Sequence, residues 1–300
     1  MYVRCIAALL MSFCMASAIA GEPGEDERAR VLAETDYARV VGRADAADLA
    51  DRVAALIDDA VPRIARIVGT DDLRPVLAFV YPDRALFREA VDLPPQSTIV
   101  GLATFPSGII HIDGTGLLSS IRKVVPHEVG HVMIARAVGP ALSELPIWIN
   151  EGIAEYVAGE RAAQVDPVAL RAIGRGAALK LADLDPTFRA RSRQSGLAYA
   201  QSASLVHFLV EQRGEAVIAA LLMAFRQVQD FDAALSQAAG FRLGELESEW
   251  RASVSRRWRW HLLFQSPVLP FTLMLLLFLV GFARYLVQRR RRQELPEQDW

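Results

Sequence analysis

The run His127-Glu128-Val129-Gly130-His131, followed twenty residues later by Glu151, constrains this chain more than any other feature. On a helix, His127 and His131 stand one turn apart on the same face, so both imidazoles can reach one metal ion. Glu128 lies beside them and can take a proton from a water polarised by that metal. Glu151, in Asn150-Glu151-Gly152-Ile153-Ala154-Glu155-Tyr156, can supply a third ligand from a second helix. Three protein ligands with one position open is the catalytic arrangement of zinc, whereas structural zinc sites are closed by four. The pattern therefore implies one Zn2+ held by His127, His131 and Glu151, with Glu128 as general base.

The flanking residues agree. Residues 121–139 read as one helix, with Val124, Val125, Val129, Val132, Met133 and Val138 on apolar faces and Gly139-Pro140 ending it. A helix this apolar is largely buried, and buried histidines and carboxylates need partners. Pro126 either kinks this helix or marks its start, and Gly130 leaves room for another backbone or for substrate. Pro146 signals the start of the second helix, on which Glu151 and Glu155 are one turn apart. Ligand histidines usually donate their second ring N–H to a carboxylate or carbonyl. Glu155 has the spacing for that role behind one histidine; the alternative is a solvated carboxylate on the helix surface.

HExxH with a downstream Asn-Glu helix resembles the gluzincin clan of metallopeptidases, which includes thermolysin. The phrase from Pro146 to Tyr156 looks most like the small peptidase MA-like group of that clan, and the resemblance covers roughly residues 70–215. It implies zinc on His127, His131 and Glu151, a general base at Glu128 and hydrolysis of peptide bonds in a peptide or protein substrate. No GxMEN-type segment is present, so the resemblance does not extend to capture of a substrate amino terminus. Clan relatives also place a tyrosine or histidine where the oxyanion forms. Here the candidates are Tyr199, at the start of a helix downstream of the ligands, and His207 in the same apolar helix. A packing tyrosine and a core histidine are the plain alternatives. A catalytically silent, zincin-like binding module that holds a protein partner at the membrane is the rival reading, and the intact Glu128 argues against it.

Both ends of the chain read as membrane-directed. Residues 1–20 carry Arg4, an apolar stretch from Cys5 to Met15 and a small-x-small site at Ala18-Ile19-Ala20, the layout of a signal peptide or of an uncleaved anchor. The two cysteines, Cys5 and Cys14, fall inside it, so the mature chain would have no disulfide and no thiolate to close a structural zinc site. Residues 267–287 approach the ~20 residues a membrane helix needs if Arg284 snorkels, and Arg289 to Arg292 follow directly. That predicts a single-pass protein with its catalytic domain outside the cytoplasm, periplasmic or extracellular, and residues 288–300 as a cytoplasmic tail. A net charge of −2 gives no case for nucleic acid.

With 300 residues, 52% of them hydrophobic, the chain can bury one catalytic core plus appendages. Residues 21–69 read as a helical lead-in, mobile or helical up to about residue 45, with an amphipathic helix over 46–68. Residues 70–257 read as the zinc metallopeptidase domain. Within it, 75–81 is a buried strand, Pro82-Asp83 starts a short helix, and 98–105 with 108–113 form a hairpin. One hairpin strand either pairs with an extended substrate, as the clan resemblance implies, or simply packs in the sheet. Arg171, Arg175, Arg189, Arg191 and Arg193 either line a cleft or form a solvated face. Helices follow at 199–213, 215–229 and 243–257. The predicted fold class is α+β: a small, mostly antiparallel sheet packed on two motif helices, a helical second lobe and a C-terminal transmembrane helix.

Overall fold

The computed structural model describes residues 29–116, 118–159, 171–172, 174–190, 194–265 and 268–293. Among these, the sheet strands are β1 (Arg30–Glu34), β2 (Ala38–Gly42), β3 (Val76–Tyr81), β4 (Gly101–Thr104) and β5 (Ile109–Asp113). The helices are α1 (Ala47–Val68), α2 (Arg84–Ala90), α3 (Leu118–Val138), α4 (Ile147–Val157) and α5 (Leu181–Arg189), then α6 (Ser195–Arg213), α7 (Ala216–Val228), α8 (Phe231–Ala239), α9 (Leu243–Gln265) and α10 (Val268–Gln293).

The chain is α+β, but the sheet is mixed. Its order is β1-β2-β3-β5-β4. The two edge pairs, β1–β2 and β4–β5, are antiparallel, while β2–β3 and β3–β5 are parallel. This corrects the expectation of a mostly antiparallel sheet. The local hairpin of β4 and β5 is visible in the sequence, whereas parallel pairing joins segments separated by a crossover. Alternation along β3 sends Val76, Ala78 and Val80 into the core and Leu77, Phe79 and Tyr81 to the opposite face.

The second correction lies at the N-terminal side. Residues 30–42 are not a helical lead-in but two strands of the sheet. Asp58 of α1 fixes their turn by accepting from the Thr35 hydroxyl at 2.7 Å and the Tyr37 amide at 3.2 Å. The core face of α1 carries Val53, Ile57, Val61, Ile64 and Val68, all essentially inaccessible. Each such side chain stabilises the fold by roughly 1.5–3 kcal/mol relative to exposure. α1 rests on β1 and β2 on one side and on α3 on the other. The helix expected at 121–139 starts earlier, at Leu118, and runs through Pro126. Asp83 caps α2 as predicted, accepting from the amides of Ala85 and Leu86.

Helices α6 to α9 form the helical lobe. The buried Trp250 of α9 donates from its indole to the Ser204 hydroxyl of α6 at 3.0 Å. Helices α5 and α8 were not anticipated.

The expected membrane span over 267–287, and the single-pass, extracytoplasmic placement built on it, are also corrected. Among the described residues no helix is long and apolar enough to cross a membrane. In α10 the uncharged run from Val268 to Ala283 is about 24 Å at 1.5 Å per residue, short of a ~30 Å hydrocarbon core, before Arg284 interrupts it. The proposed signal segment, residues 1–20, lies outside the described residues.

Candidate metal centre

Two helices build the centre. α3 supplies His127 and His131, whose rings meet edge to face with centroids 4.7 Å apart. α4 crosses α3 closely at Gly130. A Cβ there would fall 2.8 Å from the Val157 side chain and 3.2 Å from the Ala154 Cα, so only glycine permits this approach. The crossing sets Glu151 of α4 opposite the histidines.

The donor atoms form a small triangle. His127 Nε2 and His131 Nε2 are 3.1 Å apart, and Glu151 Oε2 is 3.5 Å from each. Ligands at 2.0–2.1 Å from a tetrahedral zinc lie about 3.3 Å from one another. The triangle therefore has the size of three zinc ligands. Glu151 Oε2 is buried and accepts no hydrogen bond of ordinary length, the condition of a ligand atom reserved for a cation. His131 Nδ1 lies 3.0 Å from Asn150 Oδ1 and donates to it, which leaves Nε2 with its lone pair towards the triangle. Glu155 Oε1 approaches His127 Nδ1 at 3.5 Å. Each histidine thus has an oxygen behind it, Asn150 for one and Glu155 for the other. Among the described residues, His127, His131 and Glu151 are the group able to hold a metal ion.

Electrostatics make the same point. Burial pushes the Glu128 carboxyl up, against the pull of His131 and His127. Burial would also raise Glu151, but His131 and His127 outweigh it and hold it at about 2. His131 is disfavoured as a cation by burial, yet Glu151 and Glu128 bring it to about 9. A metal ligand must present a lone pair, so ligation would displace the His131 proton and leave the Glu128 and Glu151 carboxylates as negative charge that a divalent cation balances.

Glu128 is buried beside the triangle and takes a hydrogen bond from the backbone N–H of Ala103. Gly101 of the same strand lies so close that a Cβ would meet the Val124 side chain at 2.2 Å and Glu128 Oε1 at 3.3 Å. β4 is the edge strand of the sheet. The free edge of β4 therefore faces the helix that carries Glu128.

Tyr199, near the start of α6, lies within electrostatic reach of the cluster. Burial raises its phenol first, and the carboxylates of Glu151, Glu128 and Glu155 raise it further. Its ring packs edge to face on Phe188 at 4.9 Å. His207 lies elsewhere on α6, its ring 5.0 Å from that of Tyr156. Tyr156 in turn donates to Glu215 at 2.9 Å. Arg171, Arg175 and Arg189 are exposed, as a solvated face requires, and Arg191 and Arg193 lie outside the described residues. Two contributors were not foreseen. Asn150 could have been found from its place directly before Glu151. Asp185, which bonds the first amides of α4, had no signal of spacing at all.

Two helix-borne imidazoles and a carboxylate from a second helix define a zincin-type centre. A sequence model of the peptidase MA superfamily matches residues 56–256, more than half of the chain, and the protein belongs to that superfamily. Membership points to a peptidase-like hydrolase, and the superfamily is generally zinc-dependent. None of the curated proteins matches the chain.

Proposed function

We propose that this protein is a zinc-dependent metallopeptidase in which His127, His131 and Glu151 hold the metal, Glu128 is the general base and Tyr199 the oxyanion donor. The observation that carries the reading is the triangle of donor atoms, with a buried carboxylate oxygen left free of hydrogen bonds inside it. Bound zinc would polarise a substrate carbonyl and make a neighbouring water more acidic. The chain's own groups do the rest. Glu128, with its proton affinity raised by burial, removes a proton from the attacking water and later delivers one to the departing amine. The Tyr199 phenol, protonated at any physiological pH, donates to the oxygen that becomes negative. Asn150 and Glu155 fix the two imidazole rings from behind. β4 is the half-buried edge strand beside Glu128, and its backbone groups other than the Ala103 amide, which Glu128 takes, support strand addition of an extended peptide as the binding mode.

The test is Glu128→Gln, assayed for zinc content and for turnover of a generic peptide mixture. The variant is expected to keep the metal and lose hydrolysis by about 10²–10⁴. Turnover within tenfold of wild type would remove Glu128 as base. Wild-type protein that binds zinc but turns over no peptide would favour a silent binding module.

A further inference from the structure

α4 is an eleven-residue helix with no capping side chain of its own; Pro146 occupies its N-cap. The missing partner comes from α5. Asp185 accepts from the amide of Ile147 through Oδ2 at 3.0 Å and from that of Trp148 through Oδ1 at 2.9 Å. These amides lie one turn before Glu151, whose own N–H follows the helical pattern back to the Ile147 carbonyl. A carboxylate here also complements the positive end of the helix dipole. At the far end, Arg63 of α1 donates to the Val157 carbonyl at 2.8 Å. The ligand-bearing helix is therefore held at both ends by opposite charges from other elements.

α5 is itself firmly seated. Leu181 and Leu184 are buried. The segment entering α5 is clasped by the buried Gln201, which accepts from the Leu179 amide at 2.9 Å and donates to its carbonyl at 3.1 Å. Arg251 of α9 donates to that same carbonyl at 2.6 Å. Beyond Asp185, the Phe188 ring supports Tyr199 edge to face. One short helix thus touches both the helix of the third ligand and the ring of the oxyanion donor.

We infer that α5 is the positioning element of the metal centre: Asp185 fixes where Glu151 presents its carboxylate, and Phe188 fixes the aim of Tyr199. Neither residue touches the donor triangle, so both act through another group. The inference rests on the metallopeptidase reading above.

The experiment measures Zn2+ affinity of the full chain by chelator competition, with the visible spectrum of the Co2+ form as a report on ligand geometry. Asp185→Ala should weaken Zn2+ binding about fivefold, the usual effect of losing an N-terminal cap, here on the helix that carries Glu151. It should also change the Co2+ spectrum. Asp185→Asn keeps one acceptor and should fall between the two; if Asp185→Ala does not fold, this variant decides. Asp230→Ala removes a similar cap from α8, where Asp230 accepts from the Ala233 amide at 2.8 Å. It should lower the melting temperature yet bind Zn2+ like wild type. Phe188→Leu should lower kcat with Zn2+ affinity unchanged. Asp185 variants with wild-type affinity and spectrum would overturn the role of Asp185, and an unchanged kcat in Phe188→Leu would overturn that of Phe188. Wild-type protein without Zn2+ affinity would instead sink the metallopeptidase reading itself.

Discussion

Tyr199 brings a hydroxyl into a field of three carboxylates, an arrangement that disfavours ionisation and keeps the proton available for donation. Tyr199→Phe keeps the ring on Phe188 and removes only the O–H. The expected result is a kcat lowered by about 10²–10³ with KM and zinc content nearly unchanged, read by steady-state kinetics and metal analysis. Full activity in that variant would leave the role without an owner, since His207 packs against Tyr156 instead. His111 supports a different prediction. It is buried between Phe79 and Tyr81, shares a hydrogen bond of 2.8 Å between its Nδ1 and the Tyr81 hydroxyl, and burial lowers its pKa to about 4 from 6.5. Between those values the unfolded chain binds a proton that the folded one refuses. Stability therefore falls as pH drops through 6.5 and levels off below 4, a loss of about 3 kcal/mol from this group. His111→Gln retains a hydrogen-bonding group for Tyr81 without a titratable ring and should flatten that slope in denaturant titrations run from pH 7 to 4. At this scale His127, Glu128 and His131 were legible because a motif fixes them by spacing on one helix, and Glu151 because it opens a second helical motif twenty residues later. Asp185 was not, because its role comes from meeting α4 in space.

Among the elements, the helix pair α4–α6 shows how glycine sets geometry. A Cβ on Gly152 would lie 2.6 Å from the Ser202 carbonyl oxygen and 2.8 Å from the Val206 side chain. Alanine raises helix propensity by about 1 kcal/mol, but a backbone oxygen cannot step aside. Gly152→Ala should lower unfolding stability by about 1–3 kcal/mol and weaken zinc binding, as thermal melts and chelator competition would register. Gly196→Ala in α6 meets nothing within 4 Å and serves as the matched control. Helices α1, α3 and α4 were readable because their apolar positions recur at helical spacing beside clear breakers. β1 and β2 were not: Arg-Val-Leu-Ala-Glu and Ala-Arg-Val-Val-Gly are short, mixed in polarity and alanine-containing; β2 becomes a strand through pairing with β3, and β1 through pairing with β2. α5 hid in an arginine-rich stretch whose buried residues, Leu181, Leu184 and Thr187, are few.

For the molecule as a whole, the first two strands complete the sheet. Removing residues 1–42 would strip Ala38 and Val40 from the core and uncover the β2 side of β3 along its hydrogen-bonding edge. Such a chain should lose cooperative unfolding in thermal scans; a sharp transition at the wild-type temperature would show the strands to be dispensable. The apolar C-terminal run reached the length of a membrane span only by counting Arg284 within it, and without that arginine its helix falls short. Residues 118–157 contain every donor atom of the triangle, yet the two charges that brace α4 lie on either side of that span, Arg63 before it and Asp185 after it. A fragment carrying the ligands would have the vocabulary of a zinc site without its grammar. The centre is not a cassette that evolution or an engineer can lift out intact: transplanting it to another scaffold would mean carrying over the acid and the base that stand guard at the two ends of one short helix.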